Sequence, residues 1–418
     1  MKFRIRFGRK VQDEDRRIIF ALCCLMFIPS INNFLNSVLQ IGLSIYLEFL
    51  TPVSYIFMGF MSVFVLYKYV ITQKVYLFFI LLTVAAVSVS YLLYPQIRSD
   101  IYASAVDLVY SPVNKLIFFC IPALAGMASL SDHDALLEQM RPWGKLTAAL
   151  GSVTLAFLYS YVGKMPNYMV YSYFMLLPIC VCYEHAKLKR AMSDLVIAIL
   201  GTVCIIACGA RGAVVSLALY FFVQQVTSLG KRVNGGVLIK FLCISMVLLV
   251  VVFFYREILL LCIALFDQMG ISSRFVSSLY SGELMQDSAR LLLLKSVVRG
   301  LGNNPVGYGL FGDRYVIGSF GYPQYTYSHN FFLEMLCDFG IFGGSIVIMA
   351  ILWKMIKTIG VLKNRRTFSL LLVLLPYGFF QLLFSSSFLE NTIFFMIMAM
   401  LFCVNWKRKL NEGTGDRS

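Results

Sequence analysis

The chain has 418 residues, 59% of them hydrophobic and 14% charged, with a mean hydropathy of +0.78. That much apolar surface exceeds what the interior of soluble domains of this length absorbs, which excludes a soluble enzyme or a string of soluble modules. A net charge of +15 raises the alternative of a nucleic-acid binder, and the placement of the basic residues argues against it.

Apolar stretches of about 18 to 22 residues, the length needed to cross hydrocarbon, recur along nearly the whole chain. They predict an all-α, polytopic membrane protein with about twelve transmembrane helices, at 18–39, 49–67, 75–94, 112–130, 147–163, 168–183, 192–208, 212–229, 237–255, 330–352, 367–386 and 390–406. Asn32, Asn33 and Asn36 interrupt the first span, so their amides need partners inside the bundle. No cleavable signal peptide is expected, because the segment after this apolar run lacks a small-x-small pattern.

The basic residues cluster on one side of the alternating spans. Lys2, Arg4, Arg6, Arg9, Lys10, Arg16 and Arg17 precede span one, Lys187, Lys189 and Arg190 follow span six, Lys363, Arg365 and Arg366 follow span ten, and Lys407, Arg408 and Lys409 follow span twelve. About 26 of the 36 Lys and Arg fall on that face, so the positive-inside rule puts both termini in the cytoplasm. The excess charge then answers to orientation and anionic lipid rather than to nucleic acid. The expected organisation is a basic N-terminus (1–17), nine spans (18–255), a long outer-face loop (256–329), three spans (330–406) and a cytoplasmic tail (407–418).

No internal repeat of the kind common in transporters is evident. Within the long loop, Ile258 to Met269 is apolar enough to lie on or re-enter the membrane, and Arg274 to Tyr280 forms a short amphipathic piece. Asp287 to Arg299 reads as a helix, capped by Asp287 or Ser288, with Leu291, Leu292, Leu294, Val297 and Val298 as its apolar face. Arg290 falls in its first turn, where a cation opposes the helix dipole, so it answers to a ligand or an acidic partner rather than to helix stability.

After this helix, Gly300, Gly302, Gly307, Gly309 and Gly312 give a close-approach backbone, and Tyr322, Tyr325 and Tyr327 lead to His329 at the mouth of span ten. The glycines read equally as turn formers, and the tyrosines as an interfacial aromatic belt or as a sugar-stacking surface. Gly307, Gly309, Arg274, Tyr325, Tyr327 and Asn330 are therefore candidate substrate contacts.

The chain holds three histidines. His133 and His185 fall in predicted cytoplasmic loops, which leaves His329 as the outer-face imidazole for proton transfer near neutral pH. Arg211, in Cys208-Gly209-Ala210-Arg211-Gly212, sits in a loop too short to carry its guanidinium far into water, and reads either as an interfacial anchor or as a ligand for an anion held in the bundle. Guanidinium groups bind phosphate oxygens bidentately and stay charged, so two arginines and a histidine suit a lipid diphosphate whose leaving group gathers negative charge. No metal site and no cofactor are expected. Asp13-Glu14-Asp15 and Asp132-His133-Asp134 are better read as solvated loop charge, and Cys204 with Cys208 as small buried side chains.

Three ordered motifs resemble the O-antigen polymerase and O-antigen ligase superfamily of bacterial membrane glycosyltransferases. They are Gly209-Ala210-Arg211-Gly212-Ala213 opening a span, Ser288-Ala289-Arg290 followed by Asn304-Pro305-Val306-Gly307-Tyr308-Gly309, and Ser328-His329-Asn330-Phe331-Phe332-Leu333-Glu334 continuing to Asp338-Phe339-Gly340 and Gly343. The resemblance implies that Arg211 and Arg290 bind the diphosphate of an undecaprenyl-diphosphate-linked oligosaccharide. His329 would act on the acceptor hydroxyl or help to hold the phosphate, in a metal-independent, inverting transfer.

Many ligases of the family carry a second His where this chain has Tyr327, which favours polymerase. The resemblance thus implies a polymerase of O-antigen or capsule type in the bacterial inner membrane, working beside a chain-length regulator and a flippase, with its site on the periplasmic side. The alternatives are an O-antigen ligase with a lipid A-core acceptor, and a flippase for lipid-linked oligosaccharide.

Overall fold

The computed structural model describes residues 12–45, 49–72, 74–93, 112–158, 167–208, 210–229, 288–322, 327–362 and 366–404, with the single positions 260, 264 and 268. Among these residues there is no strand, and the chain is all-helical. The helices are α1 (Asp13–Gly42), α2 (Leu50–Ile71), α3 (Lys74–Leu93), α4 (Pro112–Ser129), α5 (His133–Phe157), α6 (Tyr168–Lys189), α7 (Met192–Cys208), α8 (Arg211–Leu229), α9 (Ser288–Asn303), α10 (Gly312–Ser319), α11 (Phe331–Leu362), α12 (Arg366–Leu383) and α13 (Thr392–Cys403).

Every span predicted from hydropathy overlaps one of these helices except 237–255, which lies outside the described residues. Five helices among the described residues, α1, α2, α4, α11 and α12, are both long and apolar enough to cross a membrane. Ile80–Ser90 within α3, α7 and α13 are shorter apolar helices. The five are fewer than the expected twelve partly because α5 and α6 run unbroken from apolar into charged sequence. α6 carries Glu184, Lys187 and Lys189 in its last turns.

The chain divides into two compact units. The first comprises 1–32, 48–143 and 288–418, and the second 33–47 and 144–287. In the first, α1 stays helical through its asparagines, and Asn32 Nδ2 donates to Thr51 Oγ1 of α2 at 3.2 Å, the kind of partner an amide in an apolar helix requires. Small residues set the approach of its helices. A Cβ at Gly126 of α4 would meet Leu66 Cδ2 at 2.7 Å, and one at Gly378 of α12 would meet Ile397 Cδ1 at 2.7 Å.

The second unit follows the same rule. Gly201 of α7 lets Ile179 Cγ1 of α6 come to 2.6 Å of where a Cβ would stand, and Gly144 does so for Val181 Cγ1 at 2.7 Å. Its buried polar groups pair along regular helices: Glu184 of α6 accepts from Tyr220 Oη (3.1 Å) and Gln224 Nε2 (2.8 Å), one turn apart on α8. Lys145 reaches the fully buried Asp194 at 2.9 Å.

The expected apolar face of α9 needs correction. Leu291, Leu292, Leu294 and Val298 are exposed, and the buried stripe is Leu293, Val297 and Leu301 at i, i+4 and i+8. These residues pack with Tyr308, Val316, Ile317 and Cys337 into one core under α9, α10 and α11. Gly300 decides the rotation: α10 comes so close there that a Cβ would stand 2.5 Å from Val316 Cγ1.

Candidate functional site

The region around His329 is built on a break in α11. Gly340 has φ 74° and ψ 169°, a backbone conformation essentially closed to residues with a side chain. In an unbroken helix the Ile341 amide would donate to the Cys337 carbonyl. Here Cys337 O instead accepts from Tyr308 N (2.8 Å), Asp338 O accepts from Gly309 N (3.1 Å), and Ile341 N donates to Pro305 O (2.9 Å). The Asn304–Gly309 turn thus takes up the backbone groups that the break releases.

This accounts for the two glycines of the turn. Gly307 (φ 94°) and Gly309 (φ 80°) are left-handed, and the places where their Cβ atoms would stand are filled by the Asp338–Gly340 backbone and by Ser90. Gly307 lets the turn lie on α11, and Gly309 lets it pass close to Ser90 of α3. Asn304 Nδ2 closes the turn on Gly307 O at 2.8 Å, and Tyr308 Oη donates to Gly300 O at 2.8 Å.

Three buried carboxylates line the same region, and each grips the chain beside a non-glycine residue in the left-handed conformation. Asp338 Oδ1 accepts from Gly312 N at 3.0 Å, next to Phe311 (φ 65°). Asp313 Oδ2 accepts from Ser328 N at 2.7 Å, next to His329 (φ 54°). Glu334 accepts from Ser387 Oγ and, at 3.2 Å, from Phe388 N, next to Ser386 (φ 71°). A left-handed residue with a side chain costs about 1 kcal/mol or more, and the hydrogen bonds to the buried carboxyl beside each one offset that cost. Burial raises the Asp313 carboxyl above its ordinary value, although Arg314 and the bonds from Ser328 pull the other way.

Charge of the opposite sign comes from Arg314 and Lys115. Arg314, 5% exposed, pairs with Glu390, and Lys115 Nζ reaches the other Glu390 oxygen at 2.9 Å. Phe311 covers the guanidinium, its ring centre 5.1 Å from Arg314 Cζ. Burial alone would raise the Glu390 carboxyl, but Lys115 and Arg314 outweigh it and hold the group below its usual range. Burial alone would lower the Arg314 guanidinium, and Glu390 and Asp313 keep it above its usual value.

His329 lies half-buried between Ser328 and Asn330, with the Tyr327 ring 4.2 Å away at 48°. Asn330 is the N-cap of α11: its Oδ1 accepts from Phe332 N (3.0 Å) and Leu333 N (3.1 Å), so its amide oxygen serves the helix. Arg290 falls in the first turn of α9, its side chain outside the description. Arg211 is half-buried and opens α8, where Ala210 O accepts from Ala213 N and Val214 N. Arg290, Asn330 and His329 belong to the first unit and Arg211 to the second. Arg274 and Tyr325 lie outside the described residues.

Sequence reasoning passed over Asp313, Arg314, Glu390 and Lys115, and read Glu334 and Asp338 only as parts of a motif. Their signal was rarity. Glu334 and Asp338 are carboxylates in the apolar helix α11, and in a chain only 14% charged a carboxylate so placed calls for a role.

An all-helical chain with membrane-length helices and a polar, histidine-bearing site at the start of one of them belongs to the class of membrane-embedded proteins. Residues 196–348 match the family model described as O-antigen ligase, a segment that runs from α7 through Arg211, Arg290 and His329 into α11. This match, over 196–348, supports the resemblance to the O-antigen polymerase and ligase superfamily and does not distinguish its polymerase and ligase branches. No curated protein and no solved structure matches the chain.

Proposed function

We propose that the protein is a polymerase of a lipid-linked surface polysaccharide, transferring a growing glycan from undecaprenyl diphosphate to the terminal sugar of a lipid-linked repeat unit. The observation that carries this reading is that, within the matched segment, Arg211 and Arg290 each fall in the first turn of a helix. A cation there is unfavourable for the helix, whereas an anion gains from both the guanidinium and the positive end of the helix dipole. A diphosphate ester has the charge and the fork geometry for such a place.

His329 completes the chemistry. The acceptor hydroxyl oxygen attacks the anomeric carbon from the face opposite the diphosphate, and His329 takes the hydroxyl proton. The bond from the anomeric carbon to the phosphate oxygen breaks, and the diphosphate leaves with the bonding electron pair. Tyr327, its ring against His329 where many ligases of the family carry histidine, favours the polymerase branch. Tyr325 and Arg274 are proposed substrate contacts on sequence grounds alone.

Purified protein in detergent, given lipid-linked repeat units extracted from cells lacking its gene, is expected to form a ladder of chain lengths. Arg290→Ala, Arg211→Ala and His329→Ala are each expected to abolish the ladder at normal abundance, and an undiminished ladder removes that residue from the site. A null mutant that instead accumulates long polymer on its carrier identifies a ligase. One that leaves repeat units on the inner face identifies a flippase.

The proposed orientation puts both termini in the cytoplasm and 256–329 on the outer face. Ser319→Cys, at an exposed end of α10, is then expected to react with a membrane-impermeant thiol reagent in intact cells beyond the unsubstituted background. Protection at that position reverses the orientation.

A further inference from the structure

We propose that Asp313 is a positioning residue for His329, holding the imidazole by its backbone rather than by its side chain. The inference rests on the role given to His329 above.

Three observations meet at this point. His329 is left-handed at φ 54°, an uncommon conformation for a residue with a side chain, and the segment is held on both sides of it. On its C-terminal side the support is Asn330, fixed by its cap bonds to Phe332 N and Leu333 N. On its N-terminal side it is Ser328, buried, whose amide donates to Asp313 Oδ2 at 2.7 Å. Asp313 is 1% exposed and sits in the first turn of α10.

That helix is itself anchored. Gly312 N donates to Asp338 Oδ1, the Arg314 guanidinium pairs with Glu390, and Val316 and Ile317 are buried in the core under α9. Asp313 therefore ties a histidine on a turn to a helix fixed at three points. Two alternative readings are weaker. A general base would need to face the substrate, and Asp313 is enclosed and engaged by a main-chain amide. A cation ligand would need companions, and no group of metal-ligating side chains forms among the described residues.

What this function requires is an acceptor at position 313 rather than a charge. Asparagine keeps an oxygen that can take the Ser328 amide proton, and alanine removes it. The turnover number and KM for ladder formation are measured on lipid-linked repeat units for the wild type, D313A, D313N and H329A in detergent. In parallel, 13Cε1-histidine labelling gives NMR signals for His133, His185 and His329, the last identified by its loss in H329A.

D313A is expected to lower turnover about ten- to hundredfold with KM within about twofold, as a misplaced group does. D313N is expected to stay within about threefold of the wild type. Only the His329 signal should move or broaden in D313A, and it should coincide with the wild type in D313N. If all signals move in D313A, the smaller change D313S takes its place with the same expected results.

Unchanged turnover and an unchanged His329 signal overturn the inference, and so does equal impairment of D313N and D313A, which would make the charge the essential property. Undiminished activity of H329A overturns the role of His329 instead. In that case the NMR comparison still decides whether Asp313 holds residue 329.

Discussion

The two units use buried polar groups differently. In the second, Glu184 meets Tyr220 and Gln224 side chain to side chain across helices that remain regular. In the first, Asp313, Glu334 and Asp338 reach main-chain amides or the residues beside them, where the backbone has left helical geometry. One pattern fastens helices that would form anyway. The other fixes a chain path that would not persist alone, and that path is the one carrying His329.

The contrast is sharpest at Gly340. Gly340→Ala is expected to cost more than about 3 kcal/mol, because it adds left-handed strain and drives a Cβ into Val306, displacing the turn and its three backbone bonds. Thermal unfolding in detergent measures it, and a loss below about 1 kcal/mol would mean that the turn and α11 are not coupled.

Arg314→Ala comes next, at about 3 kcal/mol, since it removes one of two cations from a largely buried Glu390. Glu390 also gives a signed pH dependence. Its folded carboxyl lies below the ordinary 4.5, so the stability it contributes is full above about pH 4.5 and is lost as pH falls through the lower folded value. The gap in melting temperature between the wild type and Glu390→Gln should therefore be constant from pH 7 to pH 5 and shrink in more acid buffer. A gap that changes between pH 7 and 5 would contradict this assignment.

Tyr220→Phe in the second unit should cost only about 1 kcal/mol, because Gln224 still serves Glu184. Smallest and opposite in sign, Gly302→Ala in α9 should gain up to about 1 kcal/mol, since nothing lies within 4 Å of its Cβ position. Equal losses in Tyr220→Phe and Arg314→Ala would dissolve the distinction between the units.

Hydropathy located the helices well, because a span-length apolar run is a property of local composition. The break at Gly340 was not legible: Gly340 entered only as part of a motif, and the turn that accepts the broken backbone lies some 35 residues earlier. The face of α9 was hidden for a related reason. Leu291 to Leu294 are consecutive and mark no side, and the choice falls to Gly300 and its closeness to Val316. His329 was singled out by elimination among three histidines, whereas Asp313 makes its bond through a main-chain amide, which no residue pattern announces.

The break in α11 also separates a half that carries buried acids from a half with an exposed apolar face. Beyond it, Phe342, Ile346, Met349, Trp353 and Ile356 form an exposed stripe along one side, and Lys354 and Lys357 flank the Trp353 ring in the manner of a headgroup anchor. From Gly340 to Trp353 a helix rises about 20 Å, less than the roughly 30 Å of a hydrocarbon core. On the proposed orientation, the opened backbone and the acids of the first half of α11 then lie below the outer headgroups, where bare peptide groups are tolerated only under a protein cover. The Asn304–Gly309 turn is that cover, and under the proposed function it lets a polar site sit at the depth where a lipid-borne diphosphate meets its carrier's tail.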